Sequence, residues 1–355
     1  MTSARDGAGP RRAIVLGGGG VLGFAWMLGA LTAWQDVLGA DVRDVELVVG
    51  TSAGSVAAAL IGCRMPLDVV VRHHQGIPLP DDPVIDYDYE GATGEALPPR
   101  PGLRPASPGL VWGGLRHPRR VSPIVTLTGL LPAGRGSLTP VHDLVAAVAA
   151  DSGFADAWPT APRPWVVAAD YRSGRRIVFG RDTFGPRADG RSRHVRTATL
   201  ADAVQASCSI PAWYPPTVID GVPYIDGGAA SNTSLDVLRD TGVDEAYVFA
   251  PMASLEPDRP QERLARVERR VRRAITRRIV ADAAVLRSEG MRVHLVTPDA
   301  ADLAVMGVNM MDPARRSDVL DSAHDTAAAQ LTRQLGRSSR DSAGTGGALV
   351  PDERE

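Results

Sequence analysis

The run VVGTSAGSVAAAL (48–60) contains Gly50-Thr51-Ser52-Ala53-Gly54, a G-x-S-x-G pentapeptide. That spacing suits a serine nucleophile, because small residues on both sides let the chain turn sharply and expose the hydroxyl. A serine hydroxyl attacks weakly until a base takes its proton, and the usual base is histidine. The chain has seven histidines, none in an obvious catalytic setting. Context strengthens the motif: Ser52 follows the apolar run VELVVG (45–50) and opens an Ala-rich helical stretch. Amide groups and the dipole at such a helix start stabilise an alkoxide or a developing oxyanion.

A second element, LGGGGVLG (16–23), also passes from strand to helix. Its Gly18, Gly20 and Gly23 match the dinucleotide fingerprint G-x-G-x-x-G. A nucleotide unit would end its second strand in an acidic residue for the ribose, whereas this one ends in the Gly-Thr-Ser turn. The glycines instead offer free N–H groups to an oxyanion beside Ser52, since neighbouring parallel strands bring both loops to one sheet edge.

The third element is VIDGVPYIDGGAASN (218–232), in which Asp226-Gly227-Gly228 follows a short apolar strand and the rigid segment SIPAWYPP (209–216). Taken alone, Asp-Gly-Gly is commonly a turn. Together the three ordered motifs, with ASCSIPAWYPP ahead of the aspartate, resemble the patatin-like phospholipases from residue 12 to about 250. The resemblance implies a Ser-Asp dyad without histidine that cleaves acyl esters of lipids. Ser52 is then the nucleophile, Asp226 the base, and Gly18, Gly19 and Gly20 the oxyanion loop. Gly23, Gly50, Gly54, Gly227 and Gly228 are the accompanying motif glycines. An aspartate of ordinary pKa, about 3.9, is a feeble base for a hydroxyl. The dyad therefore needs a dry pocket and an oxyanion hole contributing about 3–4 kcal/mol per donor. Two positions depart from the family pattern. Leu22 stands where a basic residue usually precedes the last loop glycine, which bears on phosphate preference, and Ser234 follows Asn232-Thr233 where a proline is often found.

These residues need a scaffold, and the rest of the chain supplies the pattern for one. RAIVL (12–16), VLGFAWMLGALTAWQDVL (21–38), VELVVG (45–50) and SAGSVAAALIGC (52–63) alternate as strand, helix, strand, helix, the order of a parallel sheet covered by helices. Residues 13–35 hold no charge, as a signal or membrane segment would, but four consecutive glycines split them into strand, loop and helix. Thr139-Pro140 is an expected N-cap and first position for VHDLVAAVAA. PWVVAAD and RRIVFG form an expected hairpin across Arg172-Ser173-Gly174, and EAYVFAP and MRVHLVTP are later buried strands. The expectation is a three-layer α/β/α patatin-like fold with a mainly parallel sheet and the nucleophile elbow after an early strand. One domain spans 12–336, with a Pro/Gly-rich insertion or lid at about 77–137 and polar, disordered ends at 1–11 and 337–355.

Composition narrows the function. Charged residues at 23% and hydrophobic ones at 44% describe a globular protein, and a net charge of −2 argues against a nucleic-acid partner. Cys63 and Cys208 have no metal-ligand spacing and no His/Asp/Glu cluster has one, so no metal is expected, and no cofactor is expected either. The expected setting is cytoplasmic, with possible peripheral contact to anionic membrane. Two alternatives stand beside the dyad: a non-catalytic lipid-binding scaffold of the same fold, and an α/β-hydrolase triad of Ser52, Asp226 and His294, which occur in that order. His73 and His74 read as surface residues and Cys208 as a small core residue near the site. Residues 261–280 place Leu264, Val267, Val271, Ile275 and Ile279 three or four apart. They predict a helix packing that stripe inward and turning Arg269, Arg270, Arg272 and Arg273 towards lipid.

Overall fold

The computed structural model describes residues 9–82, 112, 128–132, 134–180, 192–195, 198–256, 258 and 260–344. Its first strand, β1 (Arg12–Leu16), shows why the apolar runs are continuous. Ile14 and Leu16 enter one core while Ala13 and Val15 enter another on the opposite face, so the sheet is covered on both sides. The chain continues through α1 (Gly20–Leu38), β2 (Leu47–Thr51), α2 (Ala53–Gly62), α3 (Leu67–Gln75) and α4 (Thr139–Asp151). It then forms β3 (Arg163–Asp170), β4 (Arg176–Phe179), β5 (Ser192–Val195), α5 (Leu200–Ser207), β6 (Thr217–Ile219) and β7 (Val222–Asp226). The last elements are β8 (Glu245–Phe249), α6 (Arg263–Ser288), β9 (Arg292–Val296), α7 (Ala300–Met306) and α8 (Arg316–Gly344).

Among the described residues the main sheet runs β5-β4-β3-β2-β1-β8-β9, with β7 added to β3 and β6 to β7. Pairing is parallel from β3 through β9, and antiparallel where β3 meets β4 and β7. The result is the expected α/β architecture in three layers. One core takes α1, α2, α4, α5 and α8, and the other takes the C-terminal half of α6 through Ile279, Ala283 and Leu286. Helix α1 is long and apolar enough to cross a membrane but is mostly buried in this fold. Its Trp26 donates to buried Asp302, which also accepts from Ser322 and Thr326 of α8.

Four local expectations change. Leu138, not Thr139, is the N-cap of α4, and Pro140 lies in its first turn. Residues 9–11 belong to the fold, because Arg11 pairs with Glu46 and its amide donates to Asp244. The C-terminal helix runs to Gly344, so 337–344 are helical; residues 1–8 and 345–355, and most of the expected insertion at 77–137, lie outside the described residues.

The fourth change is the arginine-rich helix, which is turned the opposite way in its first half. Leu264, Val267 and Val271 are 64%, 55% and 50% exposed, whereas Arg269 and Arg272 are 8% and 1% exposed. Here α6 lies against the loop after β8 rather than on the sheet. That loop presents the Pro251 and Ala253 carbonyls, which Arg272 satisfies, and Asp258, which Arg269 binds. Glu268 pairs with both arginines. Unpaired carbonyls and carboxylates are costly to bury, so the cations turn inward and the valines outward.

Candidate active site

Ser52 sits between β2 and α2 with φ 55° and ψ −128°, a left-handed conformation costing a non-glycine residue about 1–3 kcal/mol. Two sets of contacts hold it there. The Ser52 amide donates to Ser207 Oγ at 2.8 Å, and that hydroxyl donates to the Val167 carbonyl on β3 at 2.6 Å. Ser55 Oγ donates to the Ser52 carbonyl at 2.6 Å. The motif glycines are steric necessities: a Cβ at Gly50 would stand 2.3 Å from the Gly54 carbonyl oxygen, and one at Gly54 2.3 Å from that of Leu16. Strand, turn and helix are pressed too closely for any side chain.

The glycine loop passes directly over the elbow. A Cβ on Gly18 would be 3.2 Å from Ser52 Cβ. Asn232 clamps this loop twice, its carbonyl accepting from the Gly18 amide at 3.0 Å and its Nδ2 donating to the Gly18 carbonyl at 3.1 Å. Gly17 donates to Phe249 O. The Gly18 amide is therefore already engaged, a correction to its expected part as an oxyanion donor. Among the described residues, no backbone acceptor takes the Gly19 amide, and Gly20 begins α1, where first-turn amides lack helical partners. Gly23 donates to Gly19 O, closing the loop. Leu22 is fully buried and its amide donates to Met310 O, so its side chain cannot reach a headgroup.

Asp226 reaches the same place from the end of β7, opposite Ala168 of β3, with its amide donating to Ser209 O. Its carboxylate accepts from the Gly228 amide at 2.6 Å. Burial pushes the carboxyl up to about 6, while hydrogen bonding by the Ser52 side chain and by the Gly228 amide pulls it down. Gly227 passes close to β3, where a Cβ would stand 2.2 Å from the Val167 carbonyl oxygen. Ser52 also lines an apolar cavity of about 90 Å³, walled by Phe24, Val56, Val141, Leu144 and Ile210.

The expected nucleophile, aspartate and glycine loop thus converge. His294 does not join them. It lies on edge strand β9, three strands from β2, or about 14 Å at ~4.8 Å per strand. There it is buried, stacked on Tyr247 and in contact with Glu245 Oε1 at 3.1 Å. The triad alternative lacks its histidine. His74 is not a surface residue either: it is fully buried on the cavity wall against Phe24, and burial first, then Arg316, lowers its pKa to about 3. Cys208 lines the cavity as expected near the site, with its thiol pushed up to about 12 by burial and by Asp226. Sequence gave Ser207 and Asn232 no role at the elbow and the glycine loop, and it turned Arg272 outward rather than onto the Pro251 carbonyl. The only signal for the first was its place in ASCSIPAWYPP.

A profile of the family described as patatin-like phospholipase matches residues 14–239, more than half of the chain. Two solved structures are similar over 92% of this chain at 14% identity. VipD from Legionella pneumophila has a TM-score of 0.42, with 67% of that chain covered, and the type III effector protein ExoU has 0.40, with 53% covered. The chain spans about half the length of the latter.

Proposed function

Because the chain belongs to the patatin-like phospholipase family, we propose that it is a serine hydrolase cleaving carboxylic esters of lipids through Ser52 and Asp226. The observation supporting this most directly is Ser52 held in a left-handed elbow, beside a buried carboxylate, on the wall of an apolar cavity. The acyl chain enters that cavity. Ser52 Oγ attacks the acyl carbonyl carbon as its proton passes to Asp226. The tetrahedral oxyanion is held by the Gly19 and Gly20 amides, with the α2 N-terminus adding its dipole. Collapse breaks the ester bond, and the leaving alcohol takes the proton from Asp226. Water then repeats the sequence and frees the fatty acid.

Leu22 offers no cation to a phosphate, so the reading covers phospholipase A, lysophospholipase and esterase activities alike. The enzyme is proposed to act in the cytoplasm, in peripheral contact with anionic membrane and without a nucleic-acid partner. The test is labelling by a fluorophosphonate, followed by hydrolysis of a panel of phospholipids, lysophospholipids and neutral esters. Wild type should label and hydrolyse, and Ser52→Ala should do neither. An unlabelled wild-type chain that still binds lipid would favour the non-catalytic scaffold.

A further inference from the structure

We propose that the outer face of α6 docks the protein on an anionic lipid bilayer, with Leu264, Val267 and Val271 entering the interface and a neighbouring arginine ridge meeting the headgroups. The inference rests on the lipid-ester reading of Ser52 but assigns a surface that reading does not need. Buried Arg269 and Arg272 fix the helix's inward side, so helical periodicity leaves two ridges outside. The apolar residues fall at i, i+3 and i+7. Arg266, Arg270, Arg273 and Arg277 fall at i, i+4, i+7 and i+11, and all four are exposed.

Arg266 and Arg273 on that ridge donate to the carbonyls of Gln261 and Arg269, groups that carry no net charge. Among the described residues none of these four arginines forms an ion pair, whereas Arg269, Arg272 and Arg278 all do. Residues 261–280 hold eight arginines and two glutamates in a chain of net charge −2. An apolar ridge flanked by cations that have no carboxylate partner among the described residues is the pattern of a helix lying in a bilayer surface. Beside it opens a cleft of about 550 Å³ lined by Arg266, Arg273 and Arg277, with Glu256 and Asp258 also on its walls. That volume admits a lipid headgroup.

The ridge also lies at the working edge of the sheet. Helix α6 begins in the segment after β8, and Ser52 follows β2, a strand parallel to β8 through β1. Arg272 donates to the Pro251 carbonyl, and Pro251 lies against the oxyanion loop, where a Cβ on Gly19 would stand 2.8 Å from its ring. The start of α6 and the elbow thus share one edge of the sheet, while the cavity is walled from the other layer.

The test is co-sedimentation with vesicles of phosphatidylcholine alone or with about one-third phosphatidylglycerol, alongside turnover of a short soluble ester. Wild type and Ser52→Ala should bind anionic vesicles alike, and far better than neutral ones. Changing Arg266, Arg270, Arg273 and Arg277 to Gln should weaken that binding at least 10-fold at low salt. Leu264→Ser, Val267→Ser and Val271→Ser together should weaken it comparably, and both variants should keep soluble-ester turnover within about 2-fold. Anionic-vesicle binding unchanged by either set, or none by wild type, overturns the proposal. Binding by Ser52→Ala without hydrolysis by wild type would sink the enzymatic reading and leave the docking surface standing.

Discussion

The Ser207 hydroxyl stands between Ser52 and the neighbouring strand, taking the Ser52 amide hydrogen and passing its own to the Val167 carbonyl. An elbow amide turned away from its own strand has no ladder partner. Ser207, 155 residues away in sequence, supplies one. The same strand, β3, pairs with β7, which ends at Asp226. Nucleophile and base are thus located from a shared piece of sheet.

Ser207→Ala should leave the buried Ser52 amide unsatisfied, costing about 1–3 kcal/mol of stability. Turnover should fall while KM for a short ester changes little, because the cavity wall is untouched. Chemical denaturation and steady-state kinetics check both, and an unaltered kcat would show that the elbow stands without this support.

Ser52→Ala and Asp226→Asn should each lower kcat by roughly 10³-fold or more, and the double variant should be little worse than either, since the two act as a unit. His294→Gln should stay within a few-fold of wild type. Additive losses in the double variant would mean that Asp226 serves some purpose other than activating Ser52.

Turnover should fall as pH drops through about 6, where Asp226 takes up a proton. Stability should move in the opposite sense. A carboxyl raised above its unfolded value of about 3.9 contributes stability that is full below that pH and lost as pH rises through about 6. Asp226→Asn should therefore be more stable than wild type by about 3 kcal/mol at pH 8 and by almost nothing at pH 4. Urea titrations at the two pH values measure the difference, and a gain independent of pH would remove Asp226 as its source.

Ser52→Gly should unfold at higher denaturant than Ser52→Ala, by about 1 kcal/mol after allowing for glycine's greater unfolded-state freedom. Both lack the hydroxyl, so the comparison isolates the left-handed backbone. A Ser52→Gly midpoint below that of Ser52→Ala by glycine's usual unfolded-state cost would mean that the elbow carries no strain.

Much of this was legible in residue order. The run Arg12–Leu16 was readable as a strand to the residue, because a strand buried on both faces must be apolar throughout. The elbow was readable because close contact at Gly50 and Gly54 excludes every side chain. What stayed hidden depends on distant partners. Nothing near Ser207 or Asn232 in sequence announces the backbone groups they serve, the amide of residue 52 and the amide and carbonyl of residue 18. The periodicity of α6 was correct, but its orientation was decided by carbonyls at Pro251 and Ala253, for which a buried arginine is a better neighbour than a valine.

The conformation of Ser52 and the burial of Asp226 also bear on how this protein would change under selection. Both positions hold a costly arrangement that a single substitution relieves, and both substitutions abolish the chemistry. A screen scored only on yield or heat resistance would drift towards inactive chains at residues 52 and 226, and the recovered proteins would be better folded than their parent. Improvement has to be scored on turnover, or confined to positions outside this site.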